Sequence, residues 1–129
     1  MEKHYILKGD PIALSRTRVN FHTQRVYDNQ KEIKLLTGIN LRHQHGDDEI
    51  FDCPLEVIID FYFVIPVTKS KKIRPGDYMA QKIDLDNAIK LIFDCGNRII
   101  WSDDKIISKV VGQKIYADES RTEITVRTL

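Results

Sequence analysis

Two short stretches of this sequence gather carboxylates where they could hold a metal ion. One is Lys82-Ile83-Asp84-Leu85-Asp86-Asn87-Ala88-Ile89-Lys90, and the other is Trp101-Ser102-Asp103-Asp104. In extended backbone, side chains two apart point the same way, so Asp84 and Asp86 are expected to converge where the chain enters a helix. From Asp86 onward, helical spacing sets Asp86, Lys90 and Asp94 on one polar face, with Asn87 beside them. Like charges about 4 Å apart repel by roughly 4 kcal/mol at an effective dielectric near 20, so such a cluster needs counter-charge. Lys90 offsets part of it. Donor sets made of oxygen alone suit Mg²⁺. Two such ions could activate a water and stabilise the leaving oxygen of a phosphodiester. Lys90 would then suit an oriented water or the charge developing at phosphorus. Each part also has a plainer reading, because aspartate is a favoured helix cap and Asp103-Asp104 could be a polar turn. The combination, with a lysine one turn into the helix, is more specific than its parts.

The elements that must position these residues follow from hydrophobic period. Leu85, Ala88, Ile89, Ile92 and Phe93 form one apolar stripe, which predicts a helix over about 85–94. Leu55, Val57, Ile59, Phe61 and Phe63 alternate, and Ile58, Tyr62 and Val64 partly fill the other face, which predicts a central strand over 55–65. Pro66 ends it. A first strand is predicted at 4–7, stopped by Gly9-Asp10-Pro11, with a polar arginine-bearing loop after it. Asn29 and Glu32 have capping-box spacing, opening a helix that turns Ile33, Leu36 and Leu35 to the core and ends between Gly38 and Arg42. Residues 42–53 read as a surface loop. Strands at 105–116 and 122–127 follow, joined by a turn around Asp118-Glu119-Ser120 and read as a hairpin. The order β-α-β-α-β-β predicts an α+β fold, a single domain over 1–129 with a mixed or antiparallel sheet of about four strands and two main helices on one face.

Composition narrows the class. With 129 residues, 42% of them apolar and 30% charged, the chain suits one folded domain. The start lacks an apolar signal region, and the run from Phe61 to Val67 is too short to span a membrane, so a cytoplasmic protein without membrane contact is expected. Cys53 and Cys95 lack metal-site spacing and read as buried, reduced thiols. A net charge of +1 says little, but its distribution says more. Arg16 and Arg18 crowd the N-terminal loop, and Lys69, Lys71, Lys72, Arg74 and Lys82 crowd the segment before the acidic motif, a possible track for phosphates. Either run alone reads equally well as a solvated loop. No G-x-x-x-x-G-K-[ST] loop supports a nucleotide-processing enzyme. His43 and His45 beside Asp47-Asp48 read as solvent-facing rather than metal-binding, and Trp101 as packed against the helix end.

The segment from Lys82 to Lys90, then Phe93-Asp94 and Trp101-Ser102-Asp103-Asp104, resembles the signature of the RusA family of Holliday junction resolvases. That pattern runs K-P-D-x-D-N-x-x-K, then an aspartate in the helix, then W-x-D-D before a strand. Looser matches at Pro66 to Lys72, at Lys114 and at Arg16/Arg18 extend the similarity over nearly the whole chain. The resemblance implies a homodimer that binds four-way or other branched DNA and resolves junctions by paired, Mg²⁺-dependent nicks, with Mn²⁺ as a substitute ion. It also implies a place in DNA recombination and repair, and suggests a phage or prophage origin. Carried over by residue, Asp84, Asp86 and Asp104 hold the metal, Asp103 stands second to them, and Lys90 assists catalysis. Two departures stand out. Ile83 replaces the family's proline, which should loosen the approach to Asp84 slightly, and Cys95 to Ile100 replaces an L-x-G-x-x segment. The alternatives are a nuclease for flaps or other branches, and a branched-DNA-binding protein of this fold without cleavage.

Overall fold

The computed structural model describes residues 1–15 and 30–129 in full and, between them, the backbone of two short strands. Strict alternation builds the middle of the sheet. In β4 (Leu55–Val64), Leu55, Val57, Ile59, Phe61 and Phe63 are buried and the residues between them are not. β4 runs parallel to β5 (Ile107–Ala117) and antiparallel to β6 (Arg121–Thr128), and β1 (Glu2–Lys8) pairs antiparallel with β6. The sheet order is β1-β6-β4-β5, a mixed α+β sheet with β4 central, as the pattern predicts.

One connection differs from expectation. β5 and β6 are not a hairpin, because β4 lies between them. The turn at Asp118–Ser120 passes over the end of β4, where the Ser120 hydroxyl accepts the Val64 N–H at 3.1 Å. A second addition is a small hairpin of β2 (Arg18–Asn20) with β3 (Arg25–Tyr27), where sequence predicts only a loop.

The helices α1 (Lys31–His45) and α2 (Leu85–Gly96) pack on one face of the sheet and on each other. Gly112 of β5 makes room for α2, since a Cβ there would lie 2.7 Å from Ile89 Cδ1. The opposite face carries a polar ladder instead. Glu56 pairs with Lys109 at 3.2 Å and with Arg127 at 3.5 Å, Gln113 donates to Asp60 at 2.8 Å, and Arg121 lies over the Tyr62 ring.

α1 corrects three expectations. It continues to His45, well past Gly38–Arg42 and into the expected surface loop. Its inward stripe is Gly38, Leu41 and His45, whereas Leu35 and Leu36 are 62% and 58% exposed and Ile33 is exposed too. Gly38 lets the helix come close to the end of α2 and the turn after it, where an added Cβ would sit 3.8 Å from Cys95 O and 3.1 Å from Ile99 Cδ1. Gln30 occupies the cap position without a side-chain cap bond, and Asn29 lies outside the described residues. Gln30 instead ties down the preceding loop, accepting from Ser15 N–H and donating to Ala13 O, both at 2.8 Å.

His45 is buried rather than solvent-facing. Its Nε2 faces the Glu49 carbonyl at 3.0 Å and therefore carries the proton, which leaves Nδ1 to accept from the Tyr5 hydroxyl at 2.6 Å. One residue earlier, Gln44 brackets the edge strand β1, accepting from Ile6 N–H and donating to Ile6 O. Of the two thiols, Cys95 is buried as expected but Cys53 only partly. Replacing Tyr5 with Phe leaves Nδ1 buried without a donor, a loss of about 1–3 kcal/mol. Urea unfolding should show that loss for Tyr5→Phe, and a smaller further loss when His45→Phe is added than His45→Phe costs alone.

Candidate active site

Asp84 is the cap residue of α2, with φ −77° and ψ 131°. Its carbonyl accepts the first helical N–H, from Ala88 at 3.0 Å, but its carboxylate makes no cap hydrogen bond. Asp84 Oδ2 instead accepts a long bond, 3.3 Å, from the Asn87 amide. The plain capping explanation therefore does not account for this side chain. Asp86 stands in the first helical turn, so the two aspartates flank the helix start rather than sharing an extended strand. Asp86 and Lys90 approach at 3.9 Å across one turn, and both are largely exposed.

The second acidic pair is placed by Trp101. This ring is fully buried against Gly96, packs edge-on against Phe93, and donates from Nε1 to Asn97 Oδ1 at 2.9 Å. On its other side the segment is stitched to Phe51, which donates to Ile100 O at 2.8 Å and accepts from Ser102 N–H at 3.0 Å. Beyond it, Asp103 accepts the Lys105 N–H at 3.1 Å and caps a 3-10 turn, Asp104–Ile106. That bond holds the Asp103 carboxyl below its usual range. Partial burial pushes Asp104 the other way, with a further rise from its hydrogen bond to Asp103 and from the charges of Asp103 and Asp94, against a bond from Asn97.

The sequence-predicted ligands thus form two groups. Asp84 and Asp86 stand at the start of α2. Asp104 and Asp103 lie beside its C-terminal end, where Asn97 and Asp94 are their neighbours. Eight residues separate Asp86 from Asp94, roughly 12 Å along a helix. Among the described residues, no three His, Cys, Asp or Glu side chains come close enough together to hold a metal ion. Asp94 itself faces Lys34 of α1 at 3.6 Å.

The donor chemistry nonetheless fits a hard divalent cation. The candidate ligands are all carboxylates, and the upward push on Asp104, chiefly from burial and to a lesser degree from Asp103 and Asp94, is one that a cation would offset. Mg²⁺ usually takes only one or two carboxylates, completing its shell with water and substrate phosphate. Asp84 and Asp86 would supply that number without a third protein ligand.

Of the candidate DNA contacts, Lys69, Lys71, Lys72, Arg74 and Lys82 are exposed on the segment between β4 and α2. None of these five makes an ion pair among the described residues. Arg16 lies outside the described residues, as does the side chain of Arg18. Sequence reasoning gave Lys114 no role at the site. Its ammonium donates to the carbonyls of Gln81, Lys82 and Ile83, the three residues leading into Asp84. Its signals in the sequence are a loose family match and a place late in a strand, neither of which connects it to a loop more than thirty residues earlier.

A mixed four-stranded sheet with two helices on one face, bearing carboxylates at both ends of the second helix, defines a small α+β domain with a candidate oxygen-donor site. The chain belongs to the family described as endodeoxyribonuclease RusA, which it matches over residues 8–127. It is also similar to a Bacillus subtilis (strain 168) protein described as "Uncharacterized protein YqaN". The two are 26% identical, over 95% of this chain and 94% of that protein. No helix among the described residues is long and apolar enough to cross a membrane.

The raised Asp104 carboxyl has a consequence for stability. Because its folded pKa lies above its unfolded one, ionising Asp104 costs stability as pH rises through and above the carboxylate range. In EDTA, Asp104→Asn should therefore raise the melting temperature at pH 7, and the gain should fade as the pH drops below the ordinary carboxylate pKa. Equal melting temperatures at pH 7 would show that neither burial nor the neighbouring carboxylates disfavour its charge in the folded protein.

Proposed function

We propose that this chain is a Mg²⁺-dependent, structure-selective endodeoxyribonuclease that resolves four-way DNA junctions by paired nicks as a homodimer. The observation that supports this most is Asp84, a helix-cap residue whose carboxylate is not used for capping and which stands two residues before Asp86, itself faced by Lys90 one turn on. Family membership makes the chemistry DNA hydrolysis, and the oxygen-only donors favour Mg²⁺, with Mn²⁺ able to replace it.

Asp84 and Asp86 would hold the ion, and Asp104, with Asp103 behind it, would complete the acidic surroundings. When bound, such an ion would supply Lewis-acid polarisation of a non-bridging oxygen of the scissile phosphate. Lys90, exposed beside Asp86, is placed to meet the phosphate's negative charge. The lysines and arginine of segment 69–82 are free to neutralise neighbouring phosphates, and each such contact adds about 0.9 to the slope of log affinity against log salt on duplex arms. The alternative, a branched-DNA-binding protein that no longer cleaves, draws its support from the separation of Asp104 from Asp86. A nuclease for flaps or other branches would use the same site.

The test is cleavage of a labelled four-way junction beside linear duplex and a flap, with Mg²⁺, Mn²⁺ or EDTA. Paired nicks in the junction alone, dependent on the ion, are the expected outcome. Asp84→Asn and Asp104→Asn should each abolish cleavage while junction binding survives. Binding without cleavage by the unmutated protein in Mg²⁺ would favour the alternative, and cutting of every branch would demote the junction to one substrate among several. Separately, Lys71→Ala with Lys72→Ala should weaken junction binding and lower its salt slope by about 2. An unchanged slope would remove this segment from the DNA interface.

A further inference from the structure

Lys114 lies on the helix-facing side of β5, opposite Phe61 of β4. An ammonium has three N–H donors. Here all three go to successive carbonyl oxygens, of Gln81 at 3.2 Å, Lys82 at 3.0 Å and Ile83 at 2.8 Å. Three such oxygens turned toward one point repel one another unless a positive charge sits between them. The backbone of the same lysine binds the same loop, for its carbonyl accepts the Met79 N–H at 3.0 Å.

The clamped segment is strained. Lys82 has φ 43° and Ile83 φ 29°, in the left-handed region, where a β-branched residue is rare. Such a conformation persists only where its surroundings over-determine it. The clamp and the partial burial of Ile83 against the core supply that constraint. Proline, fixed near φ −65°, could not take this shape. Isoleucine at position 83 thus accompanies a backbone shape that proline could not adopt, and Lys114 is hydrogen-bonded to that shape.

We propose that Lys114 is a positioning residue for Asp84: by gathering the carbonyls of residues 81–83 it fixes where the carboxylate emerges at the start of α2, and so sets the metal affinity of the site. The inference rests on reading Asp84 as a metal ligand. With its donors engaged by the loop, Lys114 is not a phosphate contact.

Lys114→Met keeps the length and removes the donors, and Lys114→Gln is a second, more polar variant should the first fail to fold. Mn²⁺ binding is measured without DNA by electron paramagnetic resonance, beside amide exchange over residues 82–88 and the salt slope of junction binding in EDTA. Asp84→Asn runs in parallel. The expected result is a folded variant that binds Mn²⁺ about 10- to 100-fold more weakly, the usual effect of losing an outer-shell partner. Exchange over 82–88 should be faster and the salt slope unaltered. Faster exchange with unchanged Mn²⁺ affinity, while Asp84→Asn lowers it, would overturn the positioning role and leave the site reading intact. Unchanged affinity in Asp84→Asn itself would overturn the site reading and this inference with it. A salt slope reduced by about 1 would make Lys114 a phosphate contact instead.

Discussion

Close approach at two glycines holds α2, and every candidate ligand depends on where α2 lies. Near its start, Ile89 and Leu85 rest over Gly112, where β5 presents no side chain to hold the helix away. At its end, Gly96 lies under the Trp101 ring, and a Cβ there would overlap the indole. Protein interiors are packed too tightly to absorb such an overlap without moving one partner. The first contact sets the height of Asp84, Asp86 and Lys90 above the sheet. The second sets the turn that carries Asp103 and Asp104.

Electrostatics then shapes what that frame carries. The acidic residues are not massed at one point; they divide between the two ends of the helix, and the one that is partly buried among other carboxylates, Asp104, has its charge disfavoured. Positive groups take different tasks. Lys34 meets Asp94 from α1, Lys90 stands beside Asp86, and Lys114 is drawn to uncharged carbonyls rather than to an acid. The exposed lysines before α2 are left to face solvent or a polyanion. This division suits a protein whose net charge is only +1 yet whose family acts on DNA.

Local pattern made much of this legible from the chain alone. Alternation located β4 and its buried face within a residue, and the apolar stripe located α2 to within two residues of its end. The D-x-D-N, lysine and W-x-D-D spacings marked the candidate site and the family, because helix entry and strand entry are local events that need particular residues at particular steps. Trp101 was read correctly as packing, since its neighbours Ile99 and Ile100 already implied an interior position.

What tertiary structure decided involves partners distant in sequence. α1 offered two apolar faces, and the stronger one by composition, with Ile33, Leu35 and Leu36, lost to a stripe of Gly38, Leu41 and His45. Close packing on α2 favoured the glycine, and Tyr5 gave His45 a buried partner about forty residues away. β5 and β6 looked like a hairpin because sequence shows only the short turn between them, not that β4 lies between the strands. Spacing likewise brought Asp84 and Asp86 together but could not show that Asp104 stands near the far end of α2, or that Lys114 reaches back to the loop before Asp84. The sequence by itself determined the main helices and the four-stranded sheet's strands, and which residues are candidates for chemistry, because those follow from periods of two and 3.6 and from side-chain type. Only the tertiary structure decided which faces meet and how far apart the charges stand, because those depend on close packing between segments that the chain leaves far apart.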